Sequence, residues 1–280
     1  MTINRLRSID MGLYQPKALK KLLEDLKTHP RKSLSQNFLI DGNIVRKIID
    51  ASQVQNGDQV LEVGPGPGVL TEALLEKGAS VTAIEKDDRF FQALEEWNHP
   101  ELTVIHQDFL RTDLLSILKD QTKVVANIPY NITGILLQKL LPLGKQISSL
   151  TLMVQKEVAE RLVAKKGTSS YSSFTLFASY YSSPKLLFTV EPTCFYPKPK
   201  VTSAVIQLKL REVDESAPSP LKLIRKAFHQ RRKMLRASLK SLYPASKVES
   251  ALKEMGLPET TRPQELSLEE FRQLHGYLSQ

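Results

Sequence analysis

Val-Gly-Pro-Gly-Pro-Gly at residues 63–68 ends an apolar run, Gln-Val-Leu-Glu-Val at 59–63, and precedes a helical pattern that begins near Val69. A strand that leads through a glycine-rich turn into a helix is how an α/β sheet presents a nucleotide site. Glycine lets the backbone approach a ligand closely and adopt positive φ. A dinucleotide fold would require Gly-x-Gly-x-x-Gly, but Val69 stands at the third glycine position. The turn therefore disfavours NAD and favours a smaller adenosyl cofactor.

Short apolar runs and helical periods alternate around this turn, which predicts a doubly wound α/β sheet. Buried parallel strands are expected at 59–63, 80–84, 102–105, 123–126 and 150–154, and helices near 69–77, 87–97, 132–141 and 156–165. We expect two late antiparallel strands at 185–190 and 203–210. A short docking helix is predicted within 15–28, and helices fill 221–280 after a polar, proline-broken linker at 211–220.

Composition narrows the class of protein. The 39 Lys and Arg against 30 Asp and Glu give a net charge of +9, which favours a polyanionic partner. Cys194 is the one cysteine, and the five histidines lack metal-ligand spacing, so we expect a reducing intracellular setting and no metal site. No apolar run reaches the length of a membrane span, and no secretory signal is expected.

Two acidic residues follow the next two predicted strands. Glu85 ends the second strand, where a carboxylate can accept hydrogen bonds from the hydroxyls of a ribose. Asp108 follows the third strand, where it can accept a hydrogen bond from an adenine amino group. Either acid alone is more often a helix N-cap. The glycine turn, Glu85 and Asp108 follow three consecutive strands, and their combination favours a cofactor site over a helix cap.

The fourth strand ends in Asn127-Ile128-Pro129-Tyr130. Pro129 has no N–H and biases Ile128 toward an extended conformation, so the Ile128 carbonyl can point into the site. The Asn127 side-chain oxygen and this carbonyl can accept the two N–H bonds of an exocyclic amine, and Tyr130 can stack on the base. The alternative is an ordinary turn with a core tyrosine.

A stiff proline-rich loop follows, Thr-Cys-Phe-Tyr-Pro-Lys-Pro-Lys-Val at 193–201. We expect an exposed Phe195 to contact the other face of the base, with Lys198 and Lys200 meeting phosphate. A packed loop anchor is the alternative interpretation of Phe195.

These segments resemble the ribosomal RNA adenine dimethyltransferase family, which uses S-adenosylmethionine (SAM). The motifs occur in the order of that family over nearly the whole chain, as Gln-Asn-Phe-Leu-Ile-Asp at 36–41, Glu-Val-Gly-Pro-Gly-Pro-Gly-Val-Leu-Thr at 62–71, Asn-Ile-Pro-Tyr-Asn at 127–131, Met-Val-Gln-Lys-Glu-Val-Ala-Glu-Arg-Leu at 153–162 and Phe-Tyr-Pro-Lys-Pro-Lys-Val-Thr-Ser-Ala-Val at 195–205. Ser35 departs from the pattern, because a glycine usually precedes Gln-Asn-Phe.

The resemblance implies a Rossmann-like class I SAM-dependent methyltransferase sheet with a small all-helical C-terminal domain. It implies docking helices and a cofactor-covering motif at 1–57, the methyltransferase domain at 58–212 and an RNA- or ribosome-binding domain at 213–280. The implied cofactor contacts are Asn37, Leu39, Gly64, Gly66, Glu85, Lys86, Asp108, Phe109 and Asn127. The implied catalytic residues are Asn127, Ile128, Pro129, Tyr130 and Phe195.

The basic segment Phe228–Arg236 resembles the small-subunit branch of the family. Residues 221–240 hold eight Lys or Arg and no acid, and Arg231, Arg232, Lys233 and Arg236 are the expected RNA contacts. A solvated charged face is the alternative. The resemblance implies dimethylation at N6 of two adjacent adenosines near the 3′ end of 16S rRNA, by a cytoplasmic monomer acting on an assembling small subunit.

Other functions stay open at this point. The large-subunit rRNA methyltransferases that confer macrolide resistance share the motifs, and a non-catalytic RNA-binding or transcription factor can use the same fold. Intact Asn127, Pro129 and Tyr130 argue against the latter. An NAD-dependent dehydrogenase is opposed by Val69.

Overall fold

A seven-stranded mixed sheet organises the N-terminal part of the chain. The structure is a computed structural model that describes residues 12–31, 34–214, 216 and 218–279. The strands are β1 (Phe38–Leu39), β2 (Gln59–Val63), β3 (Ser80–Glu85), β4 (Leu102–His106), β5 (Thr122–Asn127), β6 (Ile147–Gln155), β7 (Ser182–Val190), β8 (Phe195–Tyr196) and β9 (Ser203–Leu210). Each predicted strand is confirmed, and β1 and β8 are additional.

The order of strands in the large sheet is β4-β3-β2-β5-β6-β9-β7. Strands β2, β3, β4, β5 and β6 pair in parallel, whereas β9 pairs antiparallel to β6, as predicted for a late strand. From β2 the chain first adds β3 and β4 on one side of the sheet, and then returns to add β5 and β6 on the other side of β2. The strand order therefore reverses between β2 and β5. A ligand crevice is expected at such a reversal, beyond the carboxyl ends of the strands.

Apolar sequence accounts for the sheet core. Strands β2, β3, β5 and β6 carry nearly continuous buried residues, as parallel strands covered on both faces require. The helices of this part are α1 (Pro16–Asp25), α2 (Gly42–Ser52), α3 (Val69–Glu76), α4 (Asp88–Glu95), α5 (Thr133–Leu140) and α6 (Lys156–Leu162). The predicted docking helix is α1, whose Leu19, Leu22 and Leu23 are buried.

The covering motif forms a separate two-stranded sheet. Strand β1 pairs antiparallel with β8, with Phe38 opposite Tyr196 and Leu39 opposite Phe195. The Ile40 N–H donates to the Cys194 carbonyl at 2.8 Å and extends this pairing. The part of the predicted 1–57 region before residue 12 lies outside the described residues.

The contacts within the described residues divide the chain into two compact units. The first runs to Ala159 and includes Lys185–Arg211, and the second comprises Glu160–Pro184 and the described residues from Glu212 onward. The boundary after 211 lies next to the predicted one. Residues 160–184, predicted to belong to the methyltransferase domain, group with the C-terminal helices, and the functional division into three parts stays a prediction.

The second unit is helical around its own core. It contains α7 (Ser173–Tyr181), α8 (Leu221–His229), α9 (Leu235–Ser238), α10 (Ala245–Glu254) and α11 (Leu268–Ser279). Ser267 and Glu270 form a capping box, because the Ser267 N–H donates to Glu270 Oε2 at 2.6 Å and the Glu270 N–H to Ser267 Oγ at 3.2 Å. Phe271, Leu274 and Leu278 on one face of α11 are buried. None of the described helices is long and apolar enough to cross a membrane.

Gly68 generates a stability prediction. Its φ is +93°, and a Cβ atom there would lie 2.6 Å from Trp97 Cη2. Strain in the left-handed region and steric overlap should together make Gly68→Ala less stable by about 2 kcal/mol or more, measured as the free energy of unfolding in urea. Gly134→Ala, with no atom within 4 Å of the added Cβ, is the control and should be neutral or slightly stabilising. Equal stability of the two variants would contradict this account of the turn.

Candidate cofactor and target site

A cleft lies where the strand order reverses, within the first unit. The segment before β1, the glycine turn after β2, the end of β3 and the loop after β5 form its walls. The lining residues are Leu34, Ser35, Gln36, Asn37, Phe38, Leu39, Glu62, Gly64, Pro65, Gly66, Pro67, Val69, Leu70, Glu85, Asn127, Ile128, Pro129 and Tyr130. Nine of the predicted site residues therefore meet in one place: Asn37, Leu39, Gly64, Gly66, Glu85, Asn127, Ile128, Pro129 and Tyr130.

The glycine turn has the backbone that its sequence predicts. Gly64, Gly66 and Gly68 all have φ between +55° and +93°, in the left-handed region that favours glycine. A Cβ atom on Gly66 would lie 3.1 Å from Phe38 Cε1. Side chains here would therefore narrow the cleft between the turn and the covering segment.

Glu85 holds the turn in place. Its Oε2 accepts from the Gly66 N–H at 2.9 Å, and its Oε1 accepts from the N–H groups of Lys86 and Asp87 at 2.8 and 2.7 Å. Burial raises the pKa of Glu85, and these three hydrogen bonds oppose that rise. Since a carboxylate offers about four acceptor positions, roughly one remains for a ribose hydroxyl without moving Gly66.

Glu62 is a site residue that our sequence prediction missed. It is almost fully buried at the end of β2, lines the cleft and accepts from Thr71 Oγ1 at 2.6 Å. Burial, with added repulsion from Glu85, raises its pKa to about 8. The available signal was an acid within the otherwise apolar run 59–63.

The charge of the cleft discriminates between cofactors. Its lining includes the two carboxyl groups of Glu62 and Glu85, and no Lys, Arg or His is among the described residues that line it. Phosphate groups of a dinucleotide would lack a cationic partner there, whereas a cationic cofactor would meet acidic groups. The acidic lining therefore fits SAM, which carries a positively charged sulfonium and an ammonium group.

Polar contacts bind the covering segment 34–39 to the helix α4 terminus. Gln36 Nε2 donates to Asp87 Oδ2 at 2.9 Å, and Asp87 also pairs with Arg89, with Nε to Oδ1 at 2.7 Å. These contacts lower the pKa of Asp87 to about 2 although burial opposes them. Ser35 has a φ of +51°, so the residue that departs from the family glycine still adopts the left-handed conformation.

Asn127 is oriented by the covering segment. Its Nδ2 donates to the Asn37 carbonyl at 3.1 Å, which leaves Oδ1 available as an acceptor. The Ile128 N–H donates to the Met153 carbonyl at 3.2 Å, and within the described part of the chain no hydrogen bond reaches the Ile128 carbonyl. Pro129 has φ −55° and ψ 125°, and a 3-10 turn follows it at Tyr130–Ile132, while the extended conformation of Ile128 stays a prediction. Asn127 Oδ1 and the Ile128 carbonyl thus have no described hydrogen-bond partner, and both residues line the cleft.

Tyr130 lies in the cleft wall and is anchored at its hydroxyl. Its Oη lies 2.6 Å from Ser203 Oγ at the start of β9, and burial raises its pKa. This bond restrains the Tyr130 side chain, and the residue lines the cleft.

Other predicted cofactor contacts lie outside the cleft lining. Lys86 Nζ pairs with Asp108 Oδ2 at 2.9 Å, which lowers the pKa of Asp108, and Asp108 also caps the turn at Leu110 N. Phe109 is buried beside Lys139, whose Nζ donates to the Phe109 and Leu110 carbonyls at 3.2 and 3.1 Å. The roles of Lys86, Asp108 and Phe109 in cofactor binding stay predictions.

Phe195 is not exposed, so that expectation is wrong. Only 3% of its surface is accessible, because β8 pairs with β1 and the ring packs in the core cluster with Leu39 and Val205. The neighbouring Tyr196 is 51% exposed instead. Lys198 and Lys200 are exposed, and their contact with phosphate stays a prediction. The stacking role of Phe195 stays a prediction that requires the ring to leave this cluster.

The predicted RNA-binding residues of the second unit differ in whether they already contact other groups of the chain. Arg231 NH2 donates to the Thr168 carbonyl at 2.8 Å, and Arg236 NH1 pairs with Glu249 Oε1 at 2.6 Å. Arg232 and Lys233 are exposed. They are therefore the better candidates for phosphate contacts. No group of acids, histidines and cysteines arranged to hold a metal occurs among the described residues.

The strand order, the glycine turn and the acidic cleft define a Rossmann-like enzyme of the SAM-dependent methyltransferase class. Residues 27–280 match the family described as ribosomal RNA adenine dimethylase, and the chain belongs to this family.

Curated relatives agree with that membership. The chain is 48% identical over 275 residues to the ribosomal RNA small subunit methyltransferase A of Protochlamydia amoebophila, covering 95% of this chain and 97% of the relative. It is 43% identical over 262 residues to the protein of the same name from Chlamydia trachomatis serovar D, covering 90% of this chain and 94% of the relative.

Solved structures show the same fold. A dimethyladenosine transferase from Plasmodium falciparum superposes with a TM-score of 0.73 at 28% identity, covering 85% of this chain and 95% of that one. The 23S rRNA methyltransferase ErmE superposes with a TM-score of 0.67, also at 28% identity, covering 87% of this chain and 100% of that one.

The raised pKa of Glu62 predicts a pH-dependent stability. Its pKa is about 8 in the folded chain against 4.5 for an ordinary glutamate, so folding favours the protonated form. The stability associated with that proton is present below about pH 4.5 and is lost as the pH rises towards 8. Glu62→Gln keeps an acceptor for Thr71 without a charge. Its melting temperature relative to the unsubstituted chain should therefore rise between pH 5 and pH 8 and level off above.

Exposed Glu95→Gln on α4 is the matched control for that measurement, and its difference from the unsubstituted chain should stay nearly flat. A Glu62→Gln difference that is equally flat would contradict the burial of an uncompensated acid in the cleft.

Proposed function

We propose that this chain transfers methyl groups from SAM to N6 of two adjacent adenosines near the 3′ end of small-subunit 16S rRNA during ribosome assembly. The observation that carries the proposal is the pair of acceptors, Asn127 Oδ1 and the Ile128 carbonyl, beside an acidic cleft. The names of the curated relatives support the choice of small-subunit rRNA.

The residues that would hold the cofactor line the cleft together. Glu85 would accept from the ribose, Gly64 and Gly66 would let the methionine part approach the backbone, and Asn37 and Leu39 would cover it. Glu62 would offer a carboxylate to the cationic groups, and pairing would return its pKa towards the ordinary value. When bound, SAM supplies a methyl group already activated on a sulfonium.

The loop after β5 would make the target amine nucleophilic. The lone pair of an exocyclic amine is delocalised into the adenine ring, and acceptors on both N–H bonds localise it on nitrogen. Asn127 Oδ1 and the Ile128 carbonyl can supply these acceptors because neither is engaged by the hydrogen bonds described above. Positioning and polar preorganisation then carry most of the catalysis, and no strong base is required.

Tyr130 would receive the base that leaves its RNA stack. Base–aromatic stacking contributes about 1–3 kcal/mol, which offsets part of the cost of unstacking. The hydroxyl contact with Ser203 holds the ring ready before RNA arrives.

The large-subunit alternative has weaker support. The 23S enzyme ErmE shares the fold at 28% identity, whereas the relatives named for the small subunit reach 43–48%. We expect the enzyme to act as a cytoplasmic monomer on an assembling small subunit, with Lys198, Lys200, Arg232 and Lys233 contacting phosphate.

Asn127→Ala tests the catalytic proposal. Removing the amide should lower the single-turnover rate of adenine methylation on unmethylated small subunits by about 100-fold or more, because a preorganised polar group at the reacting amine is removed. The dissociation constant for SAM, measured by calorimetry, should change less than about threefold, because the cofactor cover keeps its pairing of β1 with β8 and its Gln36–Asp87 hydrogen bond. Unchanged methylation by the variant would refute the role of Asn127.

The salt dependence of subunit binding tests the basic segment. Arg232→Ser combined with Lys233→Ser should weaken binding and reduce the slope of log K against log salt by about 1 for each phosphate that the variant no longer neutralises. Arg231 is excluded because it holds the Thr168 carbonyl.

Lys119→Ser combined with Lys145→Ser removes the same charge near the amino end of the sheet and serves as the control, with an expected slope like that of the unsubstituted chain. Equal slopes for the two double variants would show that the basic segment does not dock on RNA.

A further inference from the structure

The loop 196–202 presents an exposed aromatic and cationic surface, of which the proposed function uses only Lys198 and Lys200. Tyr196, Pro197, Lys198, Lys200 and Val201 are exposed, with accessibilities of 51% for Tyr196 and 42% for Val201. No other aromatic side chain among the described residues of the first unit is as exposed as Tyr196. Large apolar groups left in solvent beside lysines indicate a binding surface for a polyanion with flat apolar parts.

Strand register locates this loop at the carboxyl edge of the sheet. Asn127 pairs with Met153 and Met153 with Val205, so Val205, the third residue of β9, lies two strands from Asn127, at about 10 Å. Tyr130 is bonded to Ser203 at 2.6 Å, directly after the loop. The loop therefore borders the segment that holds the target amine.

The pairing of β1 with β8 places Tyr196 next to a wall of the cleft. Residues directly opposite each other in an antiparallel pair project from the same face. Leu39 and Phe195 are opposite one another and both enter the core cluster. Phe38 and Tyr196 therefore share the other face, where the buried Phe38 ring packs against Phe90 and Tyr196 is exposed. Both residues of β1 line the cleft, so Tyr196 lies on the strand paired with the cleft wall.

We propose that Tyr196 stacks on the nucleobase adjacent to the target adenosine in single-stranded RNA, with Lys198 and Lys200 contacting the neighbouring phosphates. This inference rests on the proposed function and names a second base contact for the same site. An exposed tyrosine offers a rigid ring, and stacking on it tolerates any base identity. The neighbouring lysines supply the charge complementarity that distinguishes RNA from an apolar protein partner.

The enzymatic test compares Tyr196→Ala, Tyr196→Phe and Tyr196→Trp in the full chain with unmethylated small subunits. Tyr196→Ala should raise KM about tenfold, within the range that one base stack supports, and leave kcat within about twofold. The Phe and Trp variants retain a ring and should retain KM. Tyr277→Ala, a surface tyrosine of the second unit with 39% exposure, is the matched control and should behave like the unsubstituted chain.

A direct readout uses an oligoribonucleotide of the target strand with 2-aminopurine in place of the base next to the target adenosine. Binding should quench its fluorescence with the unsubstituted chain and Tyr196→Phe, and the quenching should be absent with Tyr196→Ala. Methylation by the unsubstituted chain together with unchanged KM and quenching for Tyr196→Ala would overturn the inference and leave the proposed function standing. No methylation of small subunits by the unsubstituted chain would instead overturn the proposed function.

Discussion

The hydrogen bond from Asn127 Nδ2 to the Asn37 carbonyl is the interaction on which the site depends. It joins two segments 90 residues apart, the cofactor cover and the target loop, and it decides which end of the Asn127 amide faces the cleft. The cover is also joined to the loop 196–202 through the pairing of β1 with β8, and the target loop is joined to the start of β9 through the hydrogen bond between Tyr130 and Ser203. The segments that border the cleft are therefore connected to one another. A change in the position of the cover would therefore also alter the orientation of the acceptor for the target amine.

The charge of the cleft complements this geometry. Burial raises the pKa of both Glu62 and Glu85, and the charge of Glu85 adds to the rise at Glu62. The described cleft lining offers neither acid a cationic side chain. A cationic cofactor would lower the pKa of both acids and favour their charged forms, while the phosphates of a dinucleotide would raise it further. The positive charge of the sulfonium would thus serve two purposes. It makes the methyl group reactive, and it attracts the cofactor to the acidic side chains of the cleft.

The sheet could be predicted from the sequence because its information is local. Apolar runs and a glycine turn identified the strands around 59–68, and the reversal of strand order then placed Glu85 and Asn127 at one crevice. Phe195 could not be placed in this way, because two adjacent aromatic residues in a two-residue strand point to opposite faces. Which of them is buried depends on pairing with Leu39, which is distant in the sequence. Arg231 likewise appeared free in the sequence, while its hydrogen bond to the Thr168 carbonyl depends on tertiary packing.

The methyltransferase activity can be measured directly by transferring labelled methyl groups from SAM to purified ribosomal subunits that lack adenine dimethylation, followed by mass analysis of the nucleosides. We expect N6,N6-dimethyladenosine at two adjacent positions near the 3′ end of small-subunit rRNA, and no label in the large subunit. Label confined to large-subunit rRNA, or SAM binding without transfer to either subunit, would contradict this expectation.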